Sequence, residues 1–439
     1  MSEIFGPRQN RHLEAAATRA RRRVRLAVGR LGPGLITGAA DDDPSGIATY
    51  SQAGAQFGLN MLWTSVVNFP LALAVQLTCA RVGRVTGKGL TANLREIFPG
   101  WAVALLVLAL FVANTVNIGA DLAAIGAAAD LLVGSGQLWF TIAAATLSTI
   151  LQLFVPYHRY VHYLKWLTLV LGAYFGVVLA VRIDWVEVLT RTFLPRIDIS
   201  VSWLTVVVAV FGTTISPYLF YWQTSEEVED MELKRRPELK RVDSAAAEFE
   251  LKRIRIDTTI GMAFAHIVFF FIVLTTAVTL NRTGLTNIET AAEAAQALRP
   301  IAGQFAFLLF SLGIIGTGFL SIPVLAGSTA YAAAELMQWN EGLEKPVPDA
   351  RGFYAVIALS MAVALAVIFS PISPMKALFW SAVLNGIISV PIIAATMVLA
   401  GRRKAMGDYA APAWERLLGW VATIAMGIGA AAMIVLSLV

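Results

Sequence analysis

The sequence predicts an all-α membrane protein of about eleven transmembrane helices, the first and sixth of them broken. Three observations predict it. Of the 439 residues, 57% are hydrophobic and only 14% are charged, where a soluble domain carries about a quarter charged residues. Long apolar runs recur along the whole chain, and short basic loops separate every second pair of them. Two of the runs carry polar residues and a proline at their middles, at Pro44 and Pro217.

Runs long enough to cross about 30 Å of hydrocarbon fall at residues 33–57, 61–82, 101–132, 137–156, 162–182, 203–225, 258–280, 303–337, 352–370, 376–400 and 415–438. The basic run from Arg19 to Arg25 marks residues 1–30 as a cytoplasmic N-terminal segment, with no short apolar core of a signal peptide. With the N-terminus inside, "RVGRVTGK", "HRYVHYLK", "ELKRRPELKRV" and "GRRK" become inner loops, while the outer "VGSGQ" and "SPISPM" carry little positive charge. The chain then divides into helices 1–6 (31–225), a solvated, partly helical cytoplasmic linker (226–257), helices 7–10 (258–400), and a loop with helix 11 (401–439). The net charge of +5 sits in the loops that set orientation, so it implies no nucleic-acid partner. The single cysteine, Cys79, excludes a disulfide framework and reads as a small buried residue.

The first span contains "GAADDDPSGIATY". Each aspartate at the centre of a lipid-facing helix costs roughly 2.5–3.5 kcal/mol to insert. At about 100° per residue, Asp41, Asp42 and Asp43 would fan over roughly 200°, too wide for one buried seam. The segment must therefore be unwound here, or line water, or hold a cation. Pro44 provides the means: it has no N–H for the carbonyl of Ala40, and it pushes Asp43 away from helical dihedrals. The sixth span repeats the device, with Gly212, Thr213, Thr214 and Ser216 before Pro217, which frees the carbonyl of Thr213. Irregular backbone at this depth survives only where it is buried in protein or lines a cavity. Paired broken helices at matching places in two five-span halves point to a transporter's substrate site. The donors here, a carbonyl and an oxygen side chain from each half, suit a cation.

These residues resemble the Nramp family of divalent-metal transporters, over nearly the whole chain. "GPG", ending at Gly34, is followed by Asp43-Pro44-Ser45-Gly46 where the family has Asp-Pro-Gly-Asn. Thr213-Thr214-Ile215-Ser216-Pro217-Tyr218 matches the family's Ala-x-x-Met-Pro-His, Asp121-Leu122-Ala123-Ala124 matches Asp-Leu-Ala-Glu, and "DTTIGMAF" from Asp257 matches the start of the seventh helix. The resemblance implies two inverted five-helix repeats, as in amino-acid and organocation carriers, plus one extra C-terminal helix. It implies that Asp43 binds the ion and that the carbonyls of Ala40 and Thr213 coordinate.

The departures sharpen the expectation. Ser216 replaces the family's methionine thioether, which favours transition metals, with a hard oxygen. Gly46 removes the asparagine and opens space for an ion that keeps its waters, as Mg²⁺ does. Tyr218 stands for the family's histidine and Ala124 for its glutamate, so the titratable groups around Asp121 are thinned. The pattern is similar to the Nramp-related magnesium transporter branch. It implies import of Mg²⁺, and of Mn²⁺ too, without proton coupling. The alternative is a proton-coupled Mn²⁺/Fe²⁺ carrier of the main family type.

Asn385 in the tenth span is a further candidate for lining the path, as are Asp42 and, with it, Asp41, at an outer vestibule. His266 reads as a packing residue, His158 and His162 as interfacial, and Asp130 as solvated at a helix end. No nucleophile–base pair or metal-hydrolase spacing suggests an enzyme. An organic-solute carrier on the same fold conflicts with three acids at the break. Apart from transported Mg²⁺ and Mn²⁺ no cofactor is implied, and no obligate protein partner. The alanine- and arginine-rich composition points to a bacterial plasma membrane.

Overall fold

A computed structural model describes residues 32–157, 159, 167–369 and 372–438. The N-terminal segment 1–30, the start of the fifth span, His158 and His162 lie outside the described residues. The remainder is helical, and no strand occurs among the described residues. The principal helices are α1 (Pro33–Asp41), α2 (Pro44–Phe57), α3 (Leu62–Thr86), α4 (Gly100–Val133), α5 (Gln137–Phe154), α6 (Gly172–Ala180), α7 (Val201–Thr214), α8 (Pro217–Leu233), α9 (Ser244–Thr279), α10 (Ala306–Met337), α11 (Arg351–Ile368), α12 (Pro374–Ala400) and α13 (Ala413–Leu438). Eight apolar helical stretches among the described residues are long enough to span a bilayer, and two shorter ones, Leu169–Ala180 and Arg351–Ala366, accompany them. One of the eight, Pro44–Thr86, contains both α2 and α3.

Directions follow from the contacts. Gly34 lies against Thr258 and Gly54 against Val273, so the first span runs parallel to α9. Phe69 packs on His266, and Leu77 and Ala80 on Ile254, so α3 runs antiparallel to α9. The chain therefore reverses at Gly58–Met61. Ala40 meets Tyr218 and Ser45 meets Thr213, so the first and sixth spans are antiparallel. Likewise Asn114 meets Ser328, Asp121 meets Ser321 and Ser311 meets Ala128, which makes α4 and α10 antiparallel. Opposed first and sixth spans, and opposed third and eighth, are what an inverted repeat requires. Close crossings hold the breaks in place. A Cβ on Gly38 would lie 2.2 Å from the Gly261 carbonyl, and one on Gly212 would lie 2.1 Å from the Ala382 carbonyl oxygen.

In the stretch read as a solvated, partly helical linker, residues 232–237 and most of 240–249 are exposed. Helices α8 and α9 run into it from both sides, leaving 234–243 between them. Four of its charged side chains pair with one another. Arg253 bonds Glu227 at 2.6 Å and Glu250 at 3.1 Å, and Glu250 also pairs with Arg236 at 2.8 Å. Arg84 on α3 lies 3.6 Å from Glu250 and donates to the Pro237 carbonyl at 2.7 Å. Asp257 accepts from the backbone N–H groups of Gly32 and Gly34, each at 2.9 Å, and ties the start of α1 to α9.

Candidate ion site at the two helix breaks

The two breaks share one backbone design. Helix α1 ends at Asp41, Asp42 leaves the helix at φ −86°, ψ 51°, Asp43 is extended at φ −70°, ψ 171°, and Pro44 starts α2. Helix α7 ends at Thr214, Ile215 sits at φ −112°, ψ 56°, Ser216 is extended at φ −81°, ψ 139°, and Pro217 starts α8. In both cases proline occupies the first helical position, where no N–H is needed and its fixed φ suits the helix. The residue before it is the N-cap.

The two N-caps behave differently. Asp43 Oδ1 accepts from the Gly46 N–H and the Ser45 hydroxyl, both at 2.7 Å, and Oδ2 accepts from the Asn117 amide at 3.1 Å. A carboxylate offers about four lone-pair directions, and these donors take at least three of them on Asp43. Ser216 caps nothing forward. Its hydroxyl turns back and bonds the carbonyls of Gly212 and Thr213, each at 2.7 Å. The proton is directed at the carbonyls, which leaves the oxygen lone pairs free. Ser45 Oγ lies 3.4 Å from Thr213 Oγ1 and joins one break to the other.

Neither carbonyl expected to be free is bare. Ala40 O accepts from the Tyr218 hydroxyl at 3.1 Å, and Thr213 O accepts from Ser216. The antiparallel crossing brings Tyr218 to Ala40, Ser216 reaches back three residues to Thr213 within its own break, and each carbonyl retains a second lone pair. Gly46 is buried beside Asp43, and a Cβ there would lie 3.4 Å from Asp43 Oδ1. Asp121 is fully buried, with Oδ2 bonded to Ser321 at 2.9 Å and Oδ1 without a partner among the described residues.

Several neighbours escaped the sequence reading. Asn117 connects Asp43 to Ser381, whose hydroxyl donates to Asn117 Oδ1 at 2.8 Å. Ser389 caps the Ile215 carbonyl at 2.6 Å, Asn68 bonds the Thr214 hydroxyl, and Gln223 accepts from Thr37 at 2.5 Å. Helical spacing was the available signal. Asn114, Asn117 and Asp121 share a face of α4, and Ser381, Asn385 and Ser389 share a face of α12. Asn385 is one turn from Ser381, fully buried, and neither of its amide atoms has a partner among the described residues. Asp41 and Asp42 face no open vestibule: both are fully buried. His266 is a packing residue, bonded through Nδ1 to the Met262 carbonyl at 2.9 Å and edge-on to Phe69.

Among the described residues no three His, Cys, Asp or Glu side chains are arranged to hold a metal. An ion at the breaks would therefore be held by Asp43, by carbonyl, hydroxyl and amide oxygens, and by its own water.

Two opposed broken helices with buried oxygen donors between them define a carrier of the inverted-repeat type, integral to the membrane. Residues 34–436 match the natural resistance-associated macrophage protein-like family, and the chain belongs to this Nramp family. It is similar to the divalent metal cation transporter MntH of Caldanaerobacter subterraneus, 26% identical over 409 residues, covering 89% of this chain and 88% of the relative. It is also similar to MntH of Klebsiella pneumoniae, 25% identical over 424 residues, covering 93% and 94%. Among solved structures, the Eremococcus coleocola manganese transporter in complex with an aromatic bis-isothiourea compound superposes with a TM-score of 0.72 at 15% identity, covering 92% of this chain and 85% of that one. Mhp1, a nucleobase-cation-symport-1 family transporter, shares the fold with a TM-score of 0.54 at 13% identity, covering 93% and 92%.

Proposed function

We propose that this protein transports divalent metal cations, importing Mg²⁺ and also Mn²⁺ across a bacterial plasma membrane, with its N-terminus in the cytoplasm and without proton coupling. Divalent metal transport is the function named for its MntH relatives. The observation that carries the choice of ion is the donor set at the breaks. Asp43 offers one charged oxygen, the Ala40 and Thr213 carbonyls and the Ser216 hydroxyl offer neutral ones, and no sulfur stands where the family has its methionine. Few protein donors, all hard, suit an ion that keeps several waters. Asp42, Asp121, Asn385 and Gly46 line the path.

Energetics support an uncoupled import. At roughly 2.3 kcal/mol per charge per 100 mV, a divalent ion gains about 4.6 kcal/mol from an inside-negative membrane. Tyr218 takes the place of the family's histidine and spends its hydroxyl on the Ala40 carbonyl, so it holds a helix break together and carries no proton.

The test is uptake into liposomes loaded with a pH dye, with Asp43→Ala as control. Mg²⁺ uptake without acidification, lost in the variant, supports the reading. Mn²⁺ uptake with acidification and no Mg²⁺ flux replaces it with the proton-coupled alternative.

A further inference from the structure

Beyond the break, on the side away from the start of α1, lies a cavity of about 340 Å³. This is the outer side in the proposed orientation. Ala48 and Gln52 of α2, Thr205 of α7, Phe379 of α12 and Asn287 of the segment after α9 line it. The lining approaches the ion site along two helices. Ala48 is five residues from Asp43, about 7 Å along the axis at 1.5 Å per residue. Phe379 stands two residues before Ser381, whose hydroxyl bonds the Asn117 amide that holds Asp43.

Among the described residues lining this cavity a single one is charged, and it has the sign of the cargo: Lys376, near the start of α12. A lone lysine at the entrance to a cation path repels what the path is built to carry. Lys376 is not alone, because its Nζ lies 3.2 Å from Glu289 Oε1. Gln52 fixes the segment 286–290 that carries this acid. Its Nε2 donates to the Thr286 carbonyl at 3.1 Å, and its Oε1 accepts from the Ile288 N–H at 2.9 Å. The nearby Glu293 turns its Oε2 to the backbone N–H groups of Glu289 and Thr290, at 2.7 and 3.1 Å. Glu289 is thus the acid that answers Lys376.

The pair does little for stability. Its side chains are 52% and 54% exposed, and exposed ion pairs contribute little to folding. What the pair does set is the charge at the mouth of the cavity.

We infer that the Lys376–Glu289 pair meters cation entry from the outer side, the lysine opposing entry and the glutamate offsetting the lysine. The inference rests on the proposed import of a divalent ion through the Asp43 site. Electrostatics gives the two partners opposite effects on entry, and both effects fade as salt screens them. A pair that only held the segment 286–290 against α12 would act in one direction whichever partner was removed, at any salt concentration.

The experiment measures initial uptake of Mg²⁺ and Mn²⁺, at subsaturating concentration, into inside-negative liposomes holding full-length protein of determined orientation. Wild type is compared with Lys376→Gln, Glu289→Gln and the double variant. At about 10 mM ionic strength, where charges act over about 30 Å, Lys376→Gln is expected to speed entry about two- to fivefold and Glu289→Gln to slow it by a similar factor. The double variant is expected to fall between them. At about 1 M, where the range shrinks to about 3 Å, the four rates are expected to converge. Changes in the same direction in both single variants, wild-type rates in both at low salt, or differences that persist at high salt overturn the inference. Wild-type uptake that is lost in Asp43→Ala leaves the reading of the ion site standing in each of those cases. Absence of any uptake sensitive to Asp43→Ala overturns that reading, and the inference with it.

Discussion

Asn117 on α4 donates its amide to Asp43 Oδ2 at 3.1 Å, while Ser381 on α12 donates to the oxygen of the same amide at 2.8 Å. Spans three and ten thus aim the one acid at the break that is hydrogen-bonded throughout. Outer-shell partners of this kind typically change metal affinity by about 10–100-fold when removed. Asn117→Leu is therefore expected to weaken Mg²⁺ uptake at least tenfold in apparent affinity. Ser381→Ala is expected to do the same less severely, because Asn117 keeps its bond to Asp43. Concentration-dependent uptake into liposomes measures both. Equal Mg²⁺ dependence in Asn117→Leu and wild type would separate Asn117 from the ion.

Ser216 is expected to set ion preference. Its hydroxyl proton is committed to the Gly212 and Thr213 carbonyls, so only oxygen lone pairs face the break. Ser216→Met places a soft thioether there and withdraws those two bonds. Soft ligands select soft ions. The variant is expected to let Cd²⁺ inhibit Mg²⁺ uptake at concentrations where wild type is unaffected, and to lower the Mg²⁺ flux itself. Competition uptake at fixed Mg²⁺ is the measurement.

How much of this was legible in the sequence differs by residue. The break at Asp43-Pro44 was legible because three acids and a proline cannot sit in a lipid-facing helix. Pro217 became informative through its likeness to Pro44, and the shared dihedrals at Asp42 and Ile215 show why. What fills the breaks was not legible. Asn117, Ser381 and Ser389 are single polar residues in apolar helices, which look the same whether they bond a neighbouring helix or a functional carboxylate. The ion pairs inside the linker were not legible for a related reason. Glu250 and Arg253 are neighbours on α9, but Glu227 on α8 and Arg84 on α3 join them only once the three helices meet.

That cluster yields a stability prediction. Glu227 is fully buried and Arg253 nearly so, and they pair at 2.6 Å. Removing one partner of a buried pair typically costs about 3–5 kcal/mol, because the other charge stays buried alone. Glu227→Gln is expected to lower the thermal unfolding temperature markedly, with the Glu227→Gln/Arg253→Met double variant recovering part of the loss. Fluorescence-detected thermal unfolding in detergent reports both. A double variant less stable than the single would show that the two side chains act separately.

Glu341, in the loop between α10 and α11, gives a pH dependence. Burial, and then the nearby Glu335 charge, push its carboxyl up to about 9. The folded protein therefore binds a proton at Glu341 that the unfolded chain releases near its ordinary value of about 4.3. Stability falls with pH wherever the folded state binds more protons, so this residue costs stability progressively from about pH 4.3 up to its folded value. Glu341→Gln keeps the shape and removes the titration. It is expected to raise the unfolding temperature at pH 8 and to leave it unchanged at pH 4. A variant with the same pH dependence as wild type would place the origin of that dependence elsewhere in the acidic end of the molecule.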